Sequence, residues 1–182
     1  MGALGILNII AEQAITAITE MNPVAIRRTD EEHLLDPEFH QEAFEFRQRD
    51  MLFSVAKRLR RLMNSGMDSF DAFNVCQHHL IETSVAYIHN IILIQFRKAI
   101  EETDDKGCKH TLEKLYQVYV LNHLEENKGW YLEQGYMDGV KTKAIRKLLN
   151  QMCWEVRQEA VPLVDAFGIP ESCLHAPIAK RV

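Results

Sequence analysis

Apolar residues in this chain recur in steps of three and four and almost never in alternation, and that periodicity limits the fold more than any other feature. A half-buried strand needs apolar and polar residues to alternate over several positions, and no such run persists. The chain reads as all-α, an antiparallel helical bundle of about five long helices with no sheet. Helices joined by short loops bury facing stripes in that arrangement.

The boundaries of the helices are written in cap residues. Asp36-Pro37-Glu38 reads as a start: Asp36 can accept from free amides, Pro37 carries the preset φ of a first helical position, and Glu38 suits the positive end of the dipole. This helix should run to about Met63, with Phe39, Ala43, Phe46, Phe53, Ala56 and Met63 in one stripe and Phe44, Leu52, Val55, Leu59 and Leu62 beside it. Asn64-Ser65-Gly66 stops it, since glycine takes the left-handed cap conformation cheaply. A longer helix should follow from Asp68 or Ser69 to about Glu102, burying Phe70, Phe73, Leu80, Ser84, Ile88 and Ile91 on one face.

Thr103 to Gly107 turns the chain. The next helix, about Lys109 to Asn127, is apolar nearly all round at Tyr116, Val118, Tyr119, Val120 and Leu121, which places it at the centre of the bundle. Gly129, Gly135 and Gly139 mark a looser stretch holding Trp130 and Tyr136. Asp138 is positioned to cap the last long helix, where Val140, Ala144, Leu148, Met152, Val156 and Ala160 stand every fourth residue. Pro162 should kink or restart it, because proline removes a donor and clashes with the preceding turn.

The first residues form a separate problem. Met1 to Thr19 is apolar, yet Asn8, Glu12 and Gln13 interrupt it and no basic stretch precedes it, so it fits neither a membrane span nor a signal peptide. Ala3, Leu7, Ile10, Ala14 and Ile18 recur at helical spacing. The expected organisation is one all-α domain over 1-182: an N-terminal helix at 1-20, a polar linker at 21-35 containing Pro23, and the bundle at 36-178. Ala3, Leu4, Ile6, Leu7, Ile9 and Ile10 exceed what one bundle stripe needs. Roughly 400 Å² left open would favour association by about 10 kcal/mol before orientational costs. This surface, or failing it the long third helix, is expected to dock a partner or form a dimer.

Charge and cysteine usage narrow the function. A net charge of -5 argues against nucleic acid, which wants a basic face. Lys57, Arg58, Arg60 and Arg61 are the local exception and read as the solvated side of an amphipathic helix, interleaved with Val55, Leu59 and Leu62. Cys76, Cys108, Cys153 and Cys173 lie far apart without a C-x-x-C pair and read as small buried hydrophobes in a reducing compartment.

Chemical motifs are missing. No Glu has a His three residues on, as a di-iron bundle requires, and there is no H-E-x-x-H, glycine-rich phosphate loop or G-x-S-x-G elbow. His78 and His79 point about 100° apart on a helix, so at most one shares a face with Glu82. His89 and His123 lie in apolar stretches and read as satisfied core or interface histidines, and Trp130 and Trp154 as packing residues. No catalytic and no metal-binding residue is assigned in this chain.

One resemblance goes further. Glu159-Ala160-Val161-Pro162-Leu163-Val164-Asp165-Ala166-Phe167 is similar to a run near the C-terminus of acyl-CoA oxidases, where a long helix precedes an apolar-Val-Asp-Ala-Phe sequence. Leu35-Asp36-Pro37-Glu38 with Glu42-Ala43-Phe44-Glu45-Phe46-Arg47 resembles the start of that family's final helical domain. Leu115 to Leu121 resembles its central helix, and Trp130-Tyr131-Leu132 with Gly135-Tyr136 the connection after it. The collinear similarity spans Leu35 to Leu174.

The resemblance implies the C-terminal domain of an FAD-dependent enzyme of fatty acid β-oxidation, which converts acyl-CoA and O2 to trans-2-enoyl-CoA and H2O2. It implies packing against the catalytic half and a dimer mate, in a homodimer that meets fatty acyl-CoA only as the full enzyme. The family's catalytic Glu sits in a Tyr-Glu-Gly motif absent here, and the β-domain that cradles FAD is absent too, so this chain alone should bind no FAD and be inactive. After Leu174 the family continues with Gly-Arg-Tyr-Asp-Gly, whereas His175 to Lys180 stand here, and Lys180-Arg181-Val182 is not the Ser-Lys-Leu address. That leaves a truncated chain of a peroxisomal enzyme, if eukaryotic, or a cytoplasmic bacterial relative. The competing reading is a free-standing helical interaction module without catalytic activity, distinguishable by how much apolar surface stays open.

Overall fold

The computed structural model of the chain describes residues 26–173. The helix expected over 1-20 lies outside the described residues. Among them the order is α1 (Glu31–Leu34), α2 (Pro37–Asn64), α3 (Ser69–Glu102), α4 (Lys106–Glu126), α5 (Lys128–Glu133), α6 (Gly139–Val156), a 3-10 turn at Arg157–Glu159, α7 (Ala160–Asp165) and a last 3-10 turn at Glu171–Cys173. No strand occurs among the described residues.

Caps set these boundaries. The Asp36 carboxylate accepts from the Glu38 amide at 2.9 Å with Pro37 at the first position, and Gly66 takes φ +92° just past α2. Asp68 caps α3, Asp105 accepts from Cys108 N at 2.8 Å, and Asp138 accepts from Val140 N and Lys141 N at 3.0 and 2.8 Å. The fourth helix therefore begins at Lys106, three residues earlier than expected, because Asp105 and not the lysine at 109 fixes its start. The linker at 21-35 also holds a turn of helix that the charged run concealed. Asp30 caps α1 through His33 N at 3.0 Å, and Leu34 is buried beneath it. The restart expected at Pro162 is present but begins earlier: α6 ends at Val156, passes through the 3-10 turn and resumes at Ala160.

The core is divided. At one end Phe39, Ala43, Phe44 and Phe46 of α2 meet Leu93 of α3, Tyr116, Val120, Leu121 and Leu124 of α4, Tyr131 of α5 and Ile145, Leu148 and Met152 of α6. Helix α4 touches α2 through Phe44 and Tyr119, α3 through Phe96 and Tyr116, and shares this core with α6, so its central position holds. Tyr119 itself is half-buried, with its hydroxyl on His89 at the margin of the core.

The other end is thinner. Val55 and Leu59 of α2 close only on Ala72 and Cys76 of α3, with Leu52, Leu62, Met63, Met67 and Leu80 partly buried around them. The 34 residues of α3 extend about 51 Å, whereas the 21 of α4 and 18 of α6 reach about 32 and 27 Å. The loop end of the α2–α3 hairpin therefore outruns the helices that cover its base. Two helices alone cannot enclose their apolar surface.

Three expectations about burial are overturned. The stripe Phe70, Phe73, Ile88 and Ile91 of α3 faces outward, with Phe70 72% and Ile88 55% exposed, while the buried positions are Ala72, Cys76, Ala86, Asn90 and Leu93 on the opposite side. In α6 the buried residues are Lys141, Thr142, Ile145, Leu148, Leu149 and Met152, and Val140 is exposed. Strict steps of four advance 40° each around a helix, so the series from Val140 drifts off the buried face. Of the cysteines only Cys76 is buried; Cys108, Cys153 and Cys173 are exposed because each falls on the outer side of its element.

Candidate functional site

The feature that most needs a function is the outer face of α3. Phe70, Phe73, Ile81, Ile88, Ile91 and Ile92 lie along one side of the helix, with the polar Asn74, Gln77, Ser84 and Gln95 among them, and all six are exposed. Residues nine apart differ by 180° on a helix, so Phe70, Phe73, Ile81 and Ile88 point away from His79, Glu82, Asn90 and Arg97 respectively, which lie on the packed side. Scattered exposed hydrophobes are ordinary, whereas a continuous apolar stripe running much of the length of a helix marks an interaction surface.

The residues read as possible chemistry are held in structural roles. Arg58 donates to His79 Nε2, and Glu82 stands 3.9 Å from Arg47, so His79 and Glu82 face different partners and form no acid/base pair. His78 reaches neither, and its ring lies 6.3 Å from that of His79. His89 bonds Tyr119 Oη at 2.7 Å, as a satisfied histidine should.

His123 departs from that reading. It is buried against Phe44 and His89, with ring centroids at 4.7 and 4.2 Å, and its Nδ1 faces the Asn127 amide at 3.4 Å. Its Nε2 has no protein partner. Burial, reinforced by His89 and Arg47, pushes its pKa down to about 3. Arg47 lies over Trp130 at 4.9 Å and is itself buried with Nε and Nη1 unpartnered. Trp130 thus serves as packing. Trp154, by contrast, is 66% exposed with Arg157 over its ring.

Sequence reading missed a second buried polar group. His40 is fully buried between Leu34 O at 2.7 Å and Tyr116 Oη at 3.3 Å, and burial drives its pKa down to about 4. Since Nε2 faces a carbonyl, it carries the proton and donates, leaving Nδ1 to accept from the tyrosine. Nearby, Lys141 lies 1% exposed with Nζ 2.9 Å from His33 Nε2 and 4.0 Å from the Phe39 ring, its pKa lowered to about 8 by burial. The signal for Lys141 was available in the stripe 141, 145, 148, 152, which alternates steps of four and three. Among the described residues no group of three His, Cys, Asp or Glu side chains is placed to hold a metal ion. No described helix is long and apolar enough to cross a membrane.

The acyl-CoA oxidase family model matches residues 36–181, starting at the aspartate that caps α2. The chain belongs to the acyl-CoA oxidase family. It is 34% identical over 170 residues to the peroxisomal acyl-coenzyme A oxidase 2 of Arabidopsis thaliana, which covers 93% of this chain and 24% of that protein. It is 31% identical over 140 residues to the acyl-coenzyme A oxidase-like protein of Mus musculus, covering 76% and 22%. Among solved structures, acyl-CoA oxidase 1 of Yarrowia lipolytica superposes with a TM-score of 0.75 at 24% identity, over 92% of this chain and 24% of the other. Acyl-CoA oxidase 1 of Caenorhabditis elegans, solved with FAD and ATP, gives 0.72 at 18%, over 91% and 27%. The chain spans about a quarter of the length of these acyl-CoA oxidases, and it shares its helical fold with the two solved structures.

Proposed function

We propose that this chain is the C-terminal helical portion of an FAD-dependent acyl-CoA oxidase, and that its work is to complete the enzyme by docking. The observation that carries this reading is the open α3 stripe on a chain that matches only about a quarter of its relatives' length. A free-standing module would cover such a stripe with its own helices. The surface left open here suits the catalytic half of the same enzyme and its dimer mate. The parent enzyme oxidises a fatty acyl-CoA to the trans-2-enoyl-CoA and passes electrons through FAD to oxygen. The names of its peroxisomal relatives support placing that parent in the peroxisome.

In this reading the chain supplies no catalytic residue and no metal ligand. The flavin belongs to the other part of the enzyme. The groove between α2 and α3, lined by Ser54, Lys57, Arg58, Arg61 and His79, offers cations and a hydroxyl but no apolar slot for a flavin ring. His40 and His123 are buried in the core, so neither suits proton abstraction from an acyl-CoA. The isolated chain is expected to purify colourless and to oxidise no acyl-CoA. A yellow, active preparation overturns the assignment of the flavin site.

Docking is tested by light scattering across a concentration series for the chain and for its Ile88→Glu/Ile91→Glu variant. Both side chains are exposed, so the substitutions do not disturb the core. The parent should self-associate as concentration rises and the variant should shift towards monomer. With the flavin-binding half of an acyl-CoA oxidase supplied in trans, the parent should form a complex that the variant weakens. A strictly monomeric parent that ignores the flavin-binding half restores the free-standing module.

A further inference from the structure

The basic cluster at 57–61 is more organised than a solvated helix face requires. Ser54, Lys57, Arg58 and Arg61 fall within about a 100° arc of α2, and His79 approaches from α3. Together they line a groove of about 250 Å³ between the two helices. Arg58 donates to His79 Nε2, which lays one exposed guanidinium across the groove.

Like charges one turn apart repel, and a solvated helix ordinarily offsets them with carboxylates three or four residues away. Here no ion pair links Lys57, Arg58 or Arg61 to a carboxylate among the described residues, and no acid lines the groove. Arg61 lies in the last turn of α2 and suits the negative end of its dipole, but Lys57 and Arg58 stand too far back to share that explanation. The nearest acid along the same helix, Asp50, has its pKa raised by burial, with none of these cations acting on it. Three cations have therefore been gathered on one groove of an acidic chain without an internal counter-charge.

We propose that this groove binds a phosphate-bearing small molecule through a di- or triphosphate group. Guanidinium groups match phosphate oxygens in paired hydrogen bonds, a lysine adds a point charge, and the Ser54 hydroxyl can donate to a further oxygen. A diphosphate spans two such positions where a single carboxylate would satisfy one. His79 lies nine residues from Ile88 and Phe70, hence on the opposite side of α3 from the apolar stripe. The groove thus lies off the stripe, and its test does not depend on the oxidase reading.

The experiment is isothermal titration of the full chain with sodium pyrophosphate at fixed ionic strength. Two variants are compared: Arg58→Gln/Arg61→Gln in the groove, and Lys106→Gln/Lys143→Gln, which removes the same charge from exposed positions elsewhere. Saturable binding of one pyrophosphate, with Kd at or below about 1 mM, is expected for the parent and for the Lys106→Gln/Lys143→Gln variant. The groove variant should bind at least about tenfold more weakly, the loss expected for charged hydrogen bonds. ADP titrated alongside separates the sources: binding as tight as pyrophosphate or tighter supports a nucleotide occupant, and weaker binding supports the free anion. Absence of saturable binding, or equal weakening in both variants, overturns the proposal. Circular dichroism of each variant verifies that the helices remain.

Discussion

Replacing His123 with phenylalanine should flatten the acid limb of this protein's stability. The imidazole is buried between Phe44 and His89, with Nε2 unpartnered and a pKa near 3 in the folded chain against 6.5 in the unfolded one. Between those values the unfolded chain holds a proton that the folded chain refuses, so stability falls as pH drops through 6.5 towards 3. Taking those two pKa values, His123 removes about 2.6 kcal/mol of stability between about pH 7.5 and 4.5. His40, with a pKa of about 4, acts in the same direction and removes about as much again. Their sum, about 5 kcal/mol, is comparable to the whole stability of a marginal domain.

The assay is urea unfolding followed by circular dichroism at a series of pH values. The wild-type chain should lose most of its stability by about pH 4.5. In His123→Phe the slope of stability against pH should fall by about one proton, or 1.36 kcal/mol per pH unit, between about pH 6 and 3.5. His40 remains, so the limb is reduced and not abolished. Phenylalanine also removes the unpartnered donor, which should leave stability at neutral pH equal or higher. An unchanged slope would mean that His123 is already charged or solvated in the folded chain, and the burial argument would fail.

Leu93→Ala empties a fully buried position where α3 meets the larger core, and should cost about 2 to 5 kcal/mol in the same unfolding assay. Asp138→Ala removes a cap that accepts two amide bonds at the start of α6, and should cost about 1 to 2 kcal/mol. Lys141 has its folded pKa lowered to about 8 from 10.5, so the unfolded chain binds more protons above pH 8 and stability should rise from there towards pH 10, where unfolded tyrosines begin to ionise. Lys141→Met should remove that rise, and a persisting rise would show that another group causes it.

Much of the fold was legible because it is encoded locally. The caps at Asp36 and Asp138, the stop at Gly66 and the 34-residue run of α3 depend on interactions within a turn or two, which the order of residues dictates. The collinear family resemblance from Leu35 to Leu174 is likewise a property of sequence, and it agrees with the matched span 36–181. So was the existence of an apolar stripe at Phe70, Phe73, Ile88 and Ile91. What the sequence could not determine is which way that stripe faces. Helix α3 is apolar on two sides, and the choice between them was made by α2 and α4, whose side chains fit around Ala72, Cys76 and Leu93. The burial of Lys141, His40 and His123 was decided in the same way. Each is an ordinary polar residue until distant segments close over it, and only then does desolvation set its charge.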